Sequence, residues 1–318
     1  MNSIKNSTRW VRNTLFKQAE QVKEGIALRY CIKNTNGTQD KTEIYTYQNL
    51  LSLGCKLASQ LSPKSGKQSP ALLLMPGDSS FVISFITCII RGISAIPVHL
   101  ASHLRINRSS ETIDHIIEDS QPEFILTFSH FADEIAERGW NKDRQLIFVN
   151  KVIAVLVDSE QVFPTEEEYH ALYHHSHHRN NDAPVYLQYS SGSTAKPKAV
   201  CNYDDNMRVQ HEILLELHQH CQPKSITANW LPFYHDLGMF CGLLLPLLSG
   251  GCCNFMPPVH LISEPFRWLK IIHDYQANSV AAPDFAWELC TSMVTDEGIT
   301  QLDLSSVKMA MNAAEPKR

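Results

Sequence analysis

The chain alternates short, continuous apolar segments with segments whose apolar residues recur at helical spacing. Ala71–Met75 and Phe124–Phe128 have the composition of buried strands, and Ser79–Arg91 lies between them with that of a helix. Strands that are apolar on both faces are typical of parallel sheets with helices on each side. The sequence therefore predicts an α/β fold of layered, mostly parallel sheets covered by helices.

One long polar segment interrupts this alternation. Residues 158–182 contain three consecutive glutamates and a cluster of histidines. We expect a solvated linker there, which divides the chain into a first α/β subdomain, 1–180, and a second, 181–318. Convergence of the imidazoles on zinc or nickel is the alternative, but no cysteine or second cluster stands at zinc-finger spacing, so we predict no metal site. The histidines are His170, His174, His175, His177 and His178.

The charge balance and the cysteines limit the functional classes. The formal net charge is −5, and no run of lysine or arginine predicts binding to nucleic acid. The nine cysteines are scattered without a C-x-x-C pair, which favours a reducing, cytoplasmic location. The apolar run Phe81–Ile90 is too short to span a bilayer, so we expect no integral membrane segment. The N-terminal residues contain no uninterrupted apolar core, so we expect no signal peptide.

The segment Tyr186–Val200, YLQYSSGSTAKPKAV, has the composition of a phosphate-binding loop. Small hydroxyl residues around a glycine allow successive backbone N–H groups to surround an anion, and Lys198 adds a positive charge. The sequence is not a Walker A motif, because no Gly-Lys-Ser/Thr follows the glycine. From the residues alone, an ordinary polar hairpin is an equally good interpretation.

A second polar feature stands in Asn229–Met239, NWLPFYHDLGM. His235 and Asp236 follow an aromatic pair there. From the residues alone, a buried His–Asp hydrogen bond that fixes a turn is favoured over a substrate contact, because buried polar groups normally pair.

These two segments, followed by Ala282–Cys290 (APDFAWELC) and Leu302–Arg318 (LDLSSVKMAMNAAEPKR), resemble the adenylate-forming enzymes, and the fatty-acyl-AMP ligases in particular. The resemblance extends from about Tyr45 to the last residue. It implies the large N-terminal domain of such an enzyme, which uses ATP and Mg²⁺ to convert a fatty acid to acyl-AMP and pyrophosphate. The acyl group would pass to an acyl carrier protein or a polyketide synthase.

The resemblance also implies roles for individual residues. His235 and Lys198 would be catalytic. Contact with the acyl substrate is expected of His235, Asp236, Ala282, Pro283 and Phe285, although ordinary core packing is the alternative for the apolar ones. The nucleotide would be bound by Ser190, Ser191, Gly192, Ser193, Thr194, Lys198, Ala313, Ala314, Glu315 and Pro316.

The sequence departs from the family pattern in three respects. Ala195, Ala199 and Ala313 stand where glycine is usual, and each would cost about 1–2 kcal/mol if its position requires a positive φ. Asp204 replaces a usual histidine and would place a negative charge near phosphates. The resemblance also implies that the chain is incomplete at its C-terminal end and inactive alone. The alternatives are a non-catalytic remnant that keeps the fold and a pocket, and an acyl-CoA ligase relative.

Overall fold

The computed structural model describes residues 9–33, 40–62, 69–98, 110–158, 183–190, 196–217 and 224–313. Two compact units contain them. The first unit comprises Met1–Asn13 and Asn49–Arg208, and the second comprises Thr14–Gln48 and Val209–Arg318. Because 159–182 lies outside the described residues, the predicted division at residue 180 stays a prediction.

The elements follow one another in the alternation that the sequence predicts. The strands are β1 Ile26–Ile32, β2 Lys41–Thr46, β3 Ala71–Leu74, β4 Ala95–Pro97, β5 Phe124–Thr127, β6 Gln145–Phe148, β7 Tyr186–Ser190, β8 Lys198–Asn202, β9 Ile226–Asn229, β10 Cys252–Phe255, β11 Ser279–Ala282 and β12 Met309–Asn312. The α-helices are α1 Trp10–Gln21, α2 Tyr47–Ala58, α3 Ser79–Arg91, α4 Ser110–Ser120, α5 Ala132–Glu137, α6 Val149–Asp158, α7 Asp204–Leu217, α8 Leu245–Leu248, α9 Pro258–Ser263, α10 Phe266–Tyr275, α11 Asp284–Met293 and α12 Asp296–Thr300. A 3₁₀ turn, Ser129–Phe131, precedes α5, and a π-helical segment, Gly238–Leu244, precedes α8.

Each unit is built on one six-stranded sheet. The sheet of the first unit has the order β6-β5-β3-β4-β7-β8, and that of the second has the order β12-β11-β9-β10-β1-β2. Neighbouring strands are parallel throughout except for the pairs β7–β8 and β1–β2 at one edge of each sheet. The predicted α/β fold of mostly parallel sheets is confirmed.

The first unit is packed around α3 and the buried strands. Asp78 caps this helix by accepting a hydrogen bond from the backbone N–H of Phe81 at 3.1 Å. The helix ends at Gly92, whose φ of 68° is the left-handed conformation that glycine adopts without steric cost. Because nearly every side chain of α3 is buried, the helix lies in the core, as its apolar composition predicts.

The second unit has its own core, centred on Trp268 of α10. This side chain is fully buried, and its indole N–H donates to the carbonyl of Ala228 on β9 at 2.9 Å. Leu269 and Ile272 of the same helix are buried beside it. Among the described residues of the whole chain, no helix is both long and apolar enough to cross a membrane.

Candidate functional site

The predicted phosphate loop is the connection of a β-hairpin in the first unit. Strands β7 and β8 are antiparallel, and Ser190 lies directly opposite Lys198 at the end of the ladder. Both residues are exposed. The structure thus brings together the first and last of the predicted phosphate-binding residues. The remaining ones, Ser191, Gly192, Ser193 and Thr194, lie outside the described residues.

Ala199 and Ala313 do not adopt the strained backbone that their replacement of glycine suggested. The described non-glycine residues with a positive φ are Gln121, Asp143 and Gln276. Ala199 is a strand residue opposite Tyr189, where any L-amino acid fits. The expected backbone cost is therefore absent at these two positions, and Ala195 lies outside the described residues.

Asp204 has a different role from the one expected for it. Its carboxylate accepts hydrogen bonds from the backbone N–H groups of Trp10 and Val11, the latter at 3.0 Å. These are the first amides of α1, so Asp204 caps that helix and complements its positive end. Burial raises the pKa of Asp204, while the two amides and Arg12 act in the opposite direction. The expectation that this charge faces phosphates is not supported, because the carboxylate binds a helix terminus.

His235 and Asp236 form a hydrogen-bonded pair on the turn after β9. The ring Nδ1 of His235 lies 2.8 Å from Oδ1 of Asp236, and the same oxygen accepts from the backbone N–H of Leu237 at 2.7 Å. The side chains are 56% and 78% exposed, so the pair is not the buried one that residue chemistry alone favoured. The carboxylate raises the pKa of His235, and the imidazole lowers the pKa of Asp236. This turn therefore presents a polarised imidazole to solvent.

The predicted acyl-contacting residues stand at the carboxyl edge of the second sheet. Strands β9, β11 and β12 are parallel, so their carboxyl ends lie at one edge, where ligands of open α/β sheets commonly bind. Pro283 follows β11 and Ala313 follows β12. The backbone N–H of Ala313 donates to the carbonyl of Ala282 at 3.2 Å, so these segments are adjacent. Ala314, Glu315 and Pro316 lie outside the described residues.

Aromatic side chains surround this edge. Phe285 is 43% exposed and meets the ring of Trp230 edge-on, with centroids 5.7 Å apart. Trp287 packs against Trp268 at 5.0 Å and donates its indole N–H to the carbonyl of Ala282. Ala282 itself is fully buried. The edge thus combines a buried apolar layer with one exposed ring, an arrangement that suits contact with an apolar ligand.

Two contacts near the hairpin involve residues that the sequence did not single out. The side chains of His115 and Asp119, both on α4, bond to residues that flank Ser190 and Lys198. Their spacing of four residues on a helix was visible in the sequence, but nothing local identified the partners. No group of three or more potential metal ligands occurs among the described residues, and the histidine cluster at 170–178 lies outside them.

The chain is similar to known enzymes along most of its length. It is 30% identical over 287 residues to the medium-chain-fatty-acid–[acyl-carrier-protein] ligase JamA of Moorena producens, covering 89% of this chain and 46% of that protein. It is 28% identical over 280 residues to the long-chain-fatty-acid–AMP ligase FadD28 of Mycobacterium tuberculosis, covering 85% of this chain and 45% of that protein. The chain thus spans about half the length of these relatives.

Solved structures share the fold. A fatty acid AMP ligase from Legionella pneumophila superimposes with a TM-score of 0.76 at 22% identity, over 99% of this chain and 52% of that one. A fatty acyl-adenylate ligase from L. pneumophila in complex with acyl adenylate and pyrophosphate gives a TM-score of 0.75 at 23% identity, again over 99% and 52%. The family model described as AMP-binding enzyme matches residues 15–318. The resemblance read from the sequence motifs is thereby confirmed, and the chain belongs to the AMP-binding enzyme family.

Proposed function

We propose that this chain takes part in the ATP-dependent activation of a fatty acid. The observation that carries the proposal is the position of Lys198 opposite Ser190 at the end of the hairpin, on either side of a Ser-Gly-Ser-Thr loop, in a member of the AMP-binding family. Family membership favours a nucleotide as the anion. The named activities of the two relatives favour a fatty acid as the group to be activated.

The reaction balances without a further reactant. A carboxylate oxygen of the acid attacks the α-phosphorus of ATP, the bond from that phosphorus to the bridging oxygen breaks, and pyrophosphate leaves with the electron pair. The protein supplies mainly positioning and charge stabilisation for this step. Mg²⁺ is the expected metal, and when bound it would neutralise charge on the phosphates.

Some of the candidate residues would bind the phosphates of ATP, and the others would contact the fatty acid or the adenine. Lys198 and the hydroxyls that begin at Ser190 would bind the departing phosphates, where a fixed positive charge stabilises the transition state. His235 would lie beside the acid carboxylate, and its partnership with Asp236 favours the protonated ring that attracts an anion. Ala282, Pro283 and Phe285 would contact the acyl chain, and residues 313–316 would contact the adenine.

Transfer of the acyl group to an acyl carrier protein or a polyketide synthase, rather than to coenzyme A, is the favoured continuation. The support for it is the relative named as an acyl-carrier-protein ligase. The reading as a non-catalytic remnant rested partly on three alanines. Ala199 and Ala313 no longer support that interpretation, because neither has a positive φ. The cytoplasmic location stays a prediction.

Fatty-acid-dependent ATP–pyrophosphate exchange tests the proposal. The experiment uses the natural protein that contains residues 1–318 and a series of medium- and long-chain acids. We expect exchange with at least one acid, and a loss of about tenfold or more in Lys198→Ala, since removing one stabiliser of transition-state charge commonly costs that much.

Lys196→Ala is the matched control. Lys196 is an exposed lysine two residues away, so this variant removes the same charge without removing the residue opposite Ser190. Equal losses in the two lysine variants would show that only net charge matters there. An absence of exchange with every acid would contradict the proposed function.

A further inference from the structure

Side-chain hydrogen bonds attach helix α4 to strand β7 and to the residue that precedes β8. The hydroxyl of Tyr189 on β7 donates to Oδ2 of Asp119 at 2.7 Å. The ring Nε2 of His115 lies 2.8 Å from the carbonyl oxygen of Pro197, which directly precedes β8. Because a carbonyl only accepts, the imidazole must donate from Nε2.

These two bonds lie on either side of the last ladder pair, with Tyr189 inside the ladder and Pro197 just beyond its end. Tyr189 directly precedes Ser190, and Pro197 directly precedes Lys198, the pair that closes the ladder. His115 and Asp119 are four residues apart on one helix and therefore lie on the same face. A single turn of α4 thus holds the residues next to Ser190 and next to Lys198.

The attachment is supported by packing and by chemistry. Tyr189 packs against the apolar core cluster that includes Ile113, Ile116 and Ile117 of the same helix. Burial, followed by the bond to Asp119, raises the pKa of Tyr189, so the phenol keeps its proton and remains a donor. Asp119 itself is an exposed carboxylate that would repel phosphate, which excludes direct binding of the anion as its role.

We propose that His115 and Asp119 are positioning residues that fix Ser190 and Lys198 for binding of the ATP phosphates. The inference rests on the proposed function. It extends the nucleotide site to a helix that contributes no phosphate ligand of its own. Positioning has large effects in phosphoryl chemistry, because small displacements of a binding group lower the rate steeply.

Kinetics of the full natural chain with single substitutions test this role. In Asp119→Ala and in His115→Ala we expect the KM for ATP to rise about fivefold, the effect of one lost hydrogen bond, while the KM for the fatty acid stays unchanged. Asp119→Asn and His115→Gln keep an acceptor and a donor, respectively, and should restore most of the affinity. Glu118→Ala is the matched control, since it removes the neighbouring exposed carboxylate of the same helix.

A double-mutant cycle separates positioning from general destabilisation. Because His115 binds the carbonyl of the residue next to Lys198, adding His115→Ala to Lys198→Ala should raise the KM for ATP little further if this anchor acts through Lys198. Additive losses in the double variant, or equal rises in the KM values for ATP and for the acid, would overturn the proposal.

Deuterium exchange of the backbone provides a readout that does not depend on activity. We expect the amides of β7 and β8 to exchange several-fold faster in Asp119→Ala and His115→Ala than in Glu118→Ala, because the strand ends lose their anchor. If the deuterium exchange rates of β7 and β8 are unchanged in these variants, the proposal is overturned, whatever their enzymatic activity. If the unsubstituted protein lacks pyrophosphate exchange, the proposed function fails instead, and deuterium exchange alone decides whether α4 anchors the hairpin.

Discussion

At the scale of single residues, His235 has an unusual setting for a surface histidine. It is bonded through Nδ1 to the carboxylate of the next residue, Asp236, and is more than half exposed. The carboxylate stabilises the imidazolium, so the pKa of His235 is raised from its usual 6.5 and that of Asp236 is lowered from 3.8. The charged pair therefore exists between these two pKa values, a window that begins below 3.8 and ends above 6.5. Solvent screens an exposed pair, so we expect it to influence ligand binding more than folding.

Replacement of Asp236 by asparagine should lower the pKa of His235. The amide cannot supply the negative charge that favours the protonated ring. An NMR titration of the His235 ring protons measures the change, and Glu288→Gln, which removes another carboxylate of the same unit, is the control. If the pKa of His235 is the same in Asp236→Asn as in the unsubstituted protein, the pair does not control the ionisation of the ring.

At the scale of elements, the π-helical segment Gly238–Leu244 requires close approach to β9. Thr227 on that strand donates its hydroxyl to the carbonyl of Gly242 at 3.0 Å. A Cβ on Gly242 would overlap the amide of Asn229 and lie 2.7 Å from its Oδ1. The Asn229 side chain is buried and accepts from the backbone N–H of Leu231, so it has no room to move aside. The lack of a side chain at residue 242 thus sets the distance between this segment and the sheet.

Gly242→Ala should therefore lower the free energy of unfolding by about 1–3 kcal/mol, the usual effect of overpacking. Helix propensity alone predicts the opposite sign, because alanine favours helices over glycine. Gly54→Ala in α2 is the comparison, since the nearest atoms to its new Cβ would be methyl groups of Ile90 and Ile86, at 2.9 and 3.0 Å, and not a fixed amide. Urea unfolding measures both variants, and equal or improved stability in Gly242→Ala would contradict the packing argument.

The sequence predicted best the elements whose ends are marked by neighbouring turn or capping residues. Helix α3 has the predicted bounds, because a capping aspartate precedes it and a glycine follows it, and β3 and β5 each end one residue before their predicted limit. Helix α6 was missed, since its valine-rich start reads as the end of a strand. The short helices α9 and α12 were missed because they are only 6 and 5 residues long, too short for a periodic pattern.

At the scale of the whole molecule, the sequence identifies residue types but not distant partners. The motifs correctly indicated the family, and the hairpin that joins Ser190 to Lys198 was one of two interpretations that the residues left open. They did not reveal that Tyr189 meets Asp119, 70 positions away, or that Asp204 meets Trp10, 194 positions away. The exposure of His235 and Asp236 could not be predicted from the sequence either, because burial depends on how distant segments pack. Local chemistry thus predicted the candidate residues, and tertiary structure supplied their surroundings.

Asp204 connects the two chain segments of the first unit. Its carboxylate binds the amides of Trp10 and Val11, which begin α1, although residues 14–48 belong to the second unit. Loss of this cap in Asp204→Ala should lower the free energy of unfolding by about 1 kcal/mol, measured by urea unfolding. Arg12 and the neighbouring Asp205 also act on the pKa of this carboxyl, in opposite directions.

The same carboxyl should give stability a distinctive dependence on pH. Because burial raises the pKa of Asp204 above its usual 3.8, the folded protein binds this proton more tightly than the unfolded chain does. The contribution of the group to stability is then greatest below pH 3.8 and is lost as pH rises through the raised pKa. Asp204→Asn keeps the shape without the ionisation. We therefore expect the Tm of the unsubstituted protein to fall relative to that of Asp204→Asn as the pH rises above 3.8 and through the raised pKa. A difference in Tm that stays constant, or that changes in the opposite direction, would show that the helix amides outweigh burial and hold the carboxylate charged.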